Sequence, residues 1–125
     1  MAGMLYLVPT PIGNLGDISK RARETLESAD FIAAEDTRVT LKLLNHLELK
    51  KPLVSYYEHN KSFKGEKILD RILAGETCAL VSDAGSPAIS DPGEDLVKQC
   101  AAAGIPVCAI PGPCAAITAL SISAQ

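Results

Sequence analysis

The sequence predicts an α/β domain over residues 1–125, with a five-stranded, mostly parallel sheet and helices on both faces. Three observations lead there. Short apolar runs alternate with amphipathic stretches of helical period from one end of the chain to the other, the pattern of a parallel sheet covered on both sides. A length of 125 residues suits one domain, and a chain 47% hydrophobic and 22% charged folds as a globule. No internal repeat, low-complexity tract or linker divides it.

Leu5 to Val8 reads as a buried strand, followed by a loop, Pro9 to Asp17, with two prolines and two glycines. A helix capped by Asp17 or Ser19 follows, with Ile18, Ala22, Leu26 and Ala29 as its apolar stripe. Phe31 to Ala34 is the second strand. It runs into Glu35-Asp36-Thr37-Arg38, where Asp36 or Thr37 caps a helix that turns Leu43, Leu44 and Leu47 inward. Pro52 to Tyr56 is the third strand and Tyr57 to Asn60 a polar loop. The next helix, Ser62 to Ala74, buries Ile68, Leu69, Ile72 and Leu73 and stops at Gly75 as its C′ residue.

Cys78 to Ser82 is the fourth strand. It breaks into Asp-Ala-Gly-Ser-Pro-Ala-Ile-Ser-Asp-Pro-Gly, the densest run of backbone-shaping residues in the chain. Asp83 can accept hydrogen bonds from a ligand's hydroxyls or amine, and Gly85 permits close backbone approach. Asp91 reads as N-cap, Pro92 as the first helical residue, and the helix runs to Ala103 before Gly104. Val107 to Ile110 is the fifth strand, Pro111 to Cys114 a loop, and Ala115 to Ser123 the start of a last helix. The chain reaches Gln125 without a turn or polar tail, which reads as a domain edge or a cut inside a longer protein.

Composition narrows the function. Aromatic residues make up 4% of the chain and Trp is absent, which argues against rows of stacking rings as a binding mode. A net charge of −3 gives no global attraction to nucleic acid or anionic membrane, so any RNA contact needs a local basic face. Candidates are Lys20, Arg21 and Arg23; Lys50 and Lys51; and Lys61, Lys64 and Lys67, each of which also reads as a solvated face. Apolar runs fall short of a membrane span, and the start lacks the basic stretch of a secretion signal, so the expected compartment is cytoplasmic. Cys78, Cys100 and Cys108 read as small buried hydrophobes in a reducing compartment, and no Cys or His spacing suggests a metal site. His46 and His59 read as surface residues.

In a parallel sheet all strands end on one edge, so loops 9–17, 35–38, 82–93 and 111–115 share a rim, the usual ligand position in α/β folds. None is a dinucleotide or triphosphate fingerprint. Glu35 and Asp36 read either as first-turn acids of a helix, with Arg38 a solvated partner, or as functional groups of the rim.

Four segments carry a family resemblance: Leu-Tyr-Leu-Val-Pro-Thr-Pro-Ile-Gly-Asn-Leu-Gly-Asp from Leu5, Ala-Glu-Asp-Thr-Arg from Ala34, Val-Ser-Asp-Ala-Gly-Ser-Pro-Ala-Ile-Ser-Asp-Pro-Gly from Val81, and Ile-Pro-Gly-Pro-Cys-Ala from Ile110. In that order they resemble the tetrapyrrole methylase superfamily, and within it the ribosomal RNA small subunit methyltransferase I family. The resemblance implies S-adenosylmethionine as cofactor and 2′-O-methylation of a cytidine ribose in 16S rRNA, within the small ribosomal subunit. It implies cofactor contacts at Pro11, Asp83, Gly85, Ser86, Ala88, Pro113, Cys114 and Ala115, and catalytic roles for Glu35, Asp36 and Arg38. It also implies a C-terminal domain supplying the other half of the cofactor cleft. A chain carrying one half is expected to bind cofactor weakly, to turn over little by itself, and to associate as a homodimer through apolar surface left open. The competing readings are a tetrapyrrole-modifying methylase and a non-catalytic dimerising module.

Overall fold

The computed structural model describes residues 3–9, 18–57, 60–82, 91–110, 114 and 115. Apolar runs pair into strands β1 (Leu5–Pro9), β2 (Phe31–Ala34), β3 (Leu53–Ser55), β4 (Cys78–Ser82) and β5 (Val107–Ala109). Between them lie helices α1 (Lys20–Ser28), α2 (Thr37–His46), α3 (Lys61–Leu73) and α4 (Asp91–Ala102). A two-residue strand, β6 (Cys114–Ala115), closes the described order. The sheet order is β3-β2-β4-β1-β5-β6. The first five strands are parallel, and β6 is antiparallel to β5.

Strand residues alternate between two cores, as the pleat requires. Leu5, Leu7, Phe31, Ala33, Cys78, Leu80 and Val107 pack with Ile68 and Ile72 of α3 and Leu96, Val97 and Cys100 of α4. Val8, Ile32, Ala34, Ala79, Val81 and Cys108 pack with Ala22 and Leu26 of α1 and Leu43 and Leu44 of α2. Where α3 meets α4, Gly65 permits the approach: a Cβ there would meet Gln99 Oε1 at 3.2 Å and Tyr56 Cε1 at 3.5 Å. Lys61 and Asp95 join the same two helices at 2.6 Å.

Helix ends follow local chemistry. Ser19, not Asp17, caps α1, its Oγ accepting from the backbone N–H of Ala22 at 3.1 Å. Gly75 and Gly104 end α3 and α4 at φ of 109° and 76°, where a Cβ would be strained. Glu48 takes the same left-handed role after α2, at φ 60°. At the strands' amino edge, Asp30 and Thr77 exchange bonds of 2.9 and 2.7 Å, and the Arg71 guanidinium pairs with Glu76 at 2.8 Å while lying 3.7 Å from the centre of the Phe31 ring.

Four expectations need correction. Leu73 is 46% exposed, because it lies about 100° beyond Ile72 around the helix. Cys108 is buried but disulfide-bonded, and stands opposite Cys114 in the register, whereas Cys78 and Cys100 are free and buried. Cys114 and Ala115 form β6 rather than a loop and a helix start, because the chain reverses after β5 and pairs back along it. The helix expected to run on from Ala115 lies otherwise outside the described residues. Finally, α4 takes in Asp91 as its own first residue, one position earlier than a cap there would give. Among the described residues, no helix is long and apolar enough to cross a membrane.

Candidate functional site

The topology makes a rim and then divides it. From β1 to β2 and from β2 to β3 the chain moves one way along the sheet order, with α1 and α2 on one face. From β3 to β4 and from β4 to β5 it moves the other way, with α3 and α4 on the opposite face. A constant crossover hand requires this arrangement. At the adjacent strands β2 and β4 the chain therefore leaves in opposite directions onto opposite faces, which opens a crevice at the strands' carboxyl ends. Glu35 follows β2 there, and residue 83 follows β4.

The strand ends are nearly level. Pro9 is in register with Ser82, and Ala34 with both Val81 and Ser55. Ala109 ends β5 beside Leu7, two residues lower on β1. The small residues Ala34, Ser55 and Ala109 finish three of these strands, so those three strand ends bring little side-chain bulk to the edge.

An open cleft of about 430 Å³ lies at this edge, lined by Glu35, Asp36, Thr37, Arg38, Ser55 and Tyr57. The three candidate catalytic residues thus meet in one place. Asp36 is committed to the helix: one oxygen, Oδ1, accepts from the backbone N–H groups of Arg38 at 3.0 Å and Val39 at 3.5 Å, and from Arg38 Nε at 3.5 Å. Partial desolvation pushes its pKa up, but those N–H donors and the guanidinium outweigh it and hold the carboxyl below its usual value. A carboxylate so stabilised is a poor proton acceptor. Glu35 is exposed and is not the cap, and the Arg38 side chain is 90% exposed at the mouth of the cleft.

Tyr57 and Ser55 were not singled out by sequence reasoning. The signal was present in strand alternation: with Tyr56 buried, Tyr57 must face outward. Asn60 fixes this corner, accepting from the Tyr57 N–H at 2.7 Å and donating to the Ser55 carbonyl at 3.0 Å.

Of the expected cofactor contacts, Pro11, Asp83, Gly85, Ser86, Ala88 and Pro113 lie outside the described residues, as does His59. Cys114 and Ala115 lie in β6, level with Cys108 and Val107, so they run back from the rim along β5. His46 is exposed in the last turn of α2, away from the cleft-lining first turn.

Residues 4–125 match the family model for Tetrapyrrole (Corrin/Porphyrin) Methylases. The chain belongs to this family. Among curated members, the ribosomal RNA small subunit methyltransferase I of Vibrio cholerae is 55% identical over 98% of this chain and 42% of its own length. The protein of that name from Halalkalibacterium halodurans is 59% identical over 97% of the chain and 42% of its own length. The chain thus spans about two-fifths of the length of these relatives. Among solved structures, a tetrapyrrole methylase fold, the uroporphyrin-III-C-methyltransferase of Thermus thermophilus, superposes with TM-score 0.68 at 22% identity, covering 91% of this chain and 49% of that one. A native form of that enzyme gives 0.65 at 20%, covering 88% and 48%.

Proposed function

We propose that this chain is the N-terminal half of an S-adenosylmethionine-dependent methyltransferase acting on the ribose of a cytidine in 16S rRNA of the small ribosomal subunit. The observation that carries the reading is identity above one half, over almost the whole chain, to relatives named ribosomal RNA small subunit methyltransferase I. The rim supports it: small residues end the strands where a nucleoside needs room, and a carboxylate stands exposed beside them.

In this reading residues Pro11, Asp83, Gly85, Ser86, Ala88, Pro113, Cys114 and Ala115 hold S-adenosylmethionine, with a C-terminal domain covering the other side. When bound, the cofactor supplies an electrophilic sulfonium methyl group. Glu35 accepts the proton of the ribose hydroxyl as that oxygen becomes the nucleophile. Arg38, exposed and held at the first turn of α2, binds a phosphate next to the target and orients the ribose, and orientation is where much of the rate enhancement arises. Asp36 positions Arg38 and caps α2.

The test is tritium transfer from S-adenosylmethionine to small subunits lacking the modification, using the full-length protein, with uroporphyrinogen as the competing substrate. Label in the RNA ribose is expected. Label in the tetrapyrrole alone would overturn the reading. Within it, Glu35→Gln is expected to lower the single-turnover rate by about 100-fold or more, as loss of a proton acceptor does, and Asp36→Asn far less. An undiminished rate in Glu35→Gln would remove Glu35 from the chemistry.

A further inference from the structure

The chain has five aromatic rings. Phe31 and Tyr56 are buried, and Tyr6 packs against the core. Tyr57 and Phe63 are 41% and 61% exposed, and both lie in the corner between β3 and α3, at the carboxyl edge of the sheet. Tyr57 lines the cleft with Glu35 and Arg38. Phe63 sits in the first turn of α3, six residues on.

The Phe63 ring carries the Lys67 ammonium 4.4 Å from the centroid, one helical turn away on the same stripe. An exposed ring beside a cation is a good platform for a base with its phosphate. The corner is also preorganised: the Asn60 backbone N–H donates to the Tyr57 carbonyl at 3.0 Å, and its side chain bridges Tyr57 and Ser55. Arg38, which lines the same cleft as Tyr57, is a second cation. Acids are present too, Glu35 and Asp36 at the cleft and Glu66 on α3, but Asp36 is engaged with Arg38.

We propose that the β3–α3 corner binds unpaired RNA, with the Tyr57 and Phe63 rings stacking on bases that flank the nucleotide in the cleft and with Arg38 and Lys67 contacting the strand's phosphates. The composition argues against rows of stacking rings, yet both exposed aromatics fall within the β3–α3 corner, and Tyr57 lines the cleft. The inference rests on the ribosomal RNA reading and adds to it the single-stranded form of the substrate and the side chains that select it.

The experiment measures fluorescence anisotropy of a labelled unpaired oligocytidylate, and of an RNA duplex of matched length, with the full-length protein and its Phe63→Ala, Phe63→Leu and Phe63→Trp variants. An exposed side chain can be replaced without disturbing the core. Phe63→Ala and Phe63→Leu are expected to weaken the unpaired strand by about tenfold, the loss of one stacked base. Phe63→Trp is expected to restore it, and duplex affinity to stay unchanged in all three. Lys67→Gln is expected to make the salt dependence shallower by about 0.7 in log–log slope, one phosphate contact. Wild-type affinity in Phe63→Ala, equal loss for duplex, or a wild type that does not bind the unpaired strand overturns the proposal. So does tighter binding of uroporphyrin that Phe63→Ala weakens. The tritium assay separates the two levels: if subunits are methylated equally well by wild type and Phe63→Ala, the corner fails and the RNA reading stands.

Discussion

Replacing Asn60 with Ala removes two side-chain hydrogen bonds from the corner that carries Tyr57. The Tyr57 N–H loses its acceptor at 2.7 Å, and the Ser55 carbonyl loses its donor at 3.0 Å. Each such bond has a net worth of about 1 kcal/mol, and these groups are reached by water once freed, so the expected loss is about 1–2 kcal/mol. For a chain of this size that lowers the melting temperature by about 4 °C per kcal/mol. Asn60→Asp separates the two bonds. It keeps an acceptor for Tyr57 and sets a negative charge at the N-terminus of α3, where the dipole favours it, but it has no donor for Ser55. Its loss is expected to be under half that of the Ala variant. Urea and thermal unfolding by circular dichroism measure both. Stability of Asn60→Ala equal to wild type would refute the reasoning, because the corner would then be held by something other than Asn60. Asp and Ala losing equally would assign the whole effect to the Ser55 bond.

Other outcomes follow from the same geometry. The Asp36 carboxyl sits below its ordinary pKa of 3.8. A depressed carboxylate adds stability above its unfolded value and loses it as pH falls through the folded value. Acid unfolding below about pH 4 is therefore expected to be less steep in Asp36→Asn, which keeps the cap acceptor without the charge; curves of equal slope would contradict this. Burial first of all raises the Cys100 thiol to about 12, and pushes Cys78 up as well, with the neighbouring Cys100 adding to it. Both are expected to resist alkylation at pH 8 until the chain unfolds, since only about one thiol in ten thousand is then ionised at Cys100; rapid labelling of the native protein would show that the core beneath α3 and α4 is open.

The parallel sheet was legible because strands buried on both sides are short apolar runs, and Leu5–Val8, Phe31–Ala34 and Cys78–Ser82 have no competing reading. Helix stops at Gly75 and Gly104 were legible because a left-handed residue needs no Cβ. The stop after α2 was not, because Glu48 adopts that conformation with a Cβ present and nothing local marks it. β6 was hidden because a two-residue strand has no periodicity to detect. Strand order was hidden because it depends on which faces the helices cover, and that order sets β2 beside β4. At the site, Glu35, Asp36 and Arg38 were visible as a charged cluster at a strand end. Their separation into a capping carboxylate and an exposed one depends on backbone angles at Asp36, which the residue types do not specify. Tyr57 escaped notice because a polar turn obscured the alternation from Tyr56.

The central claim is that the carboxyl ends of the parallel strands form one rim, and that the segments leaving it hold the methyl donor. Hydrogen exchange of the full-length protein with and without S-adenosylhomocysteine tests it most directly. Protection is expected in residues 10–17, 35–38, 83–90 and 111–115, with the amino-edge amides of Asp30, Thr77 and Ile105 unchanged. Protection confined to that amino edge, or to α1 and α3, would contradict the account.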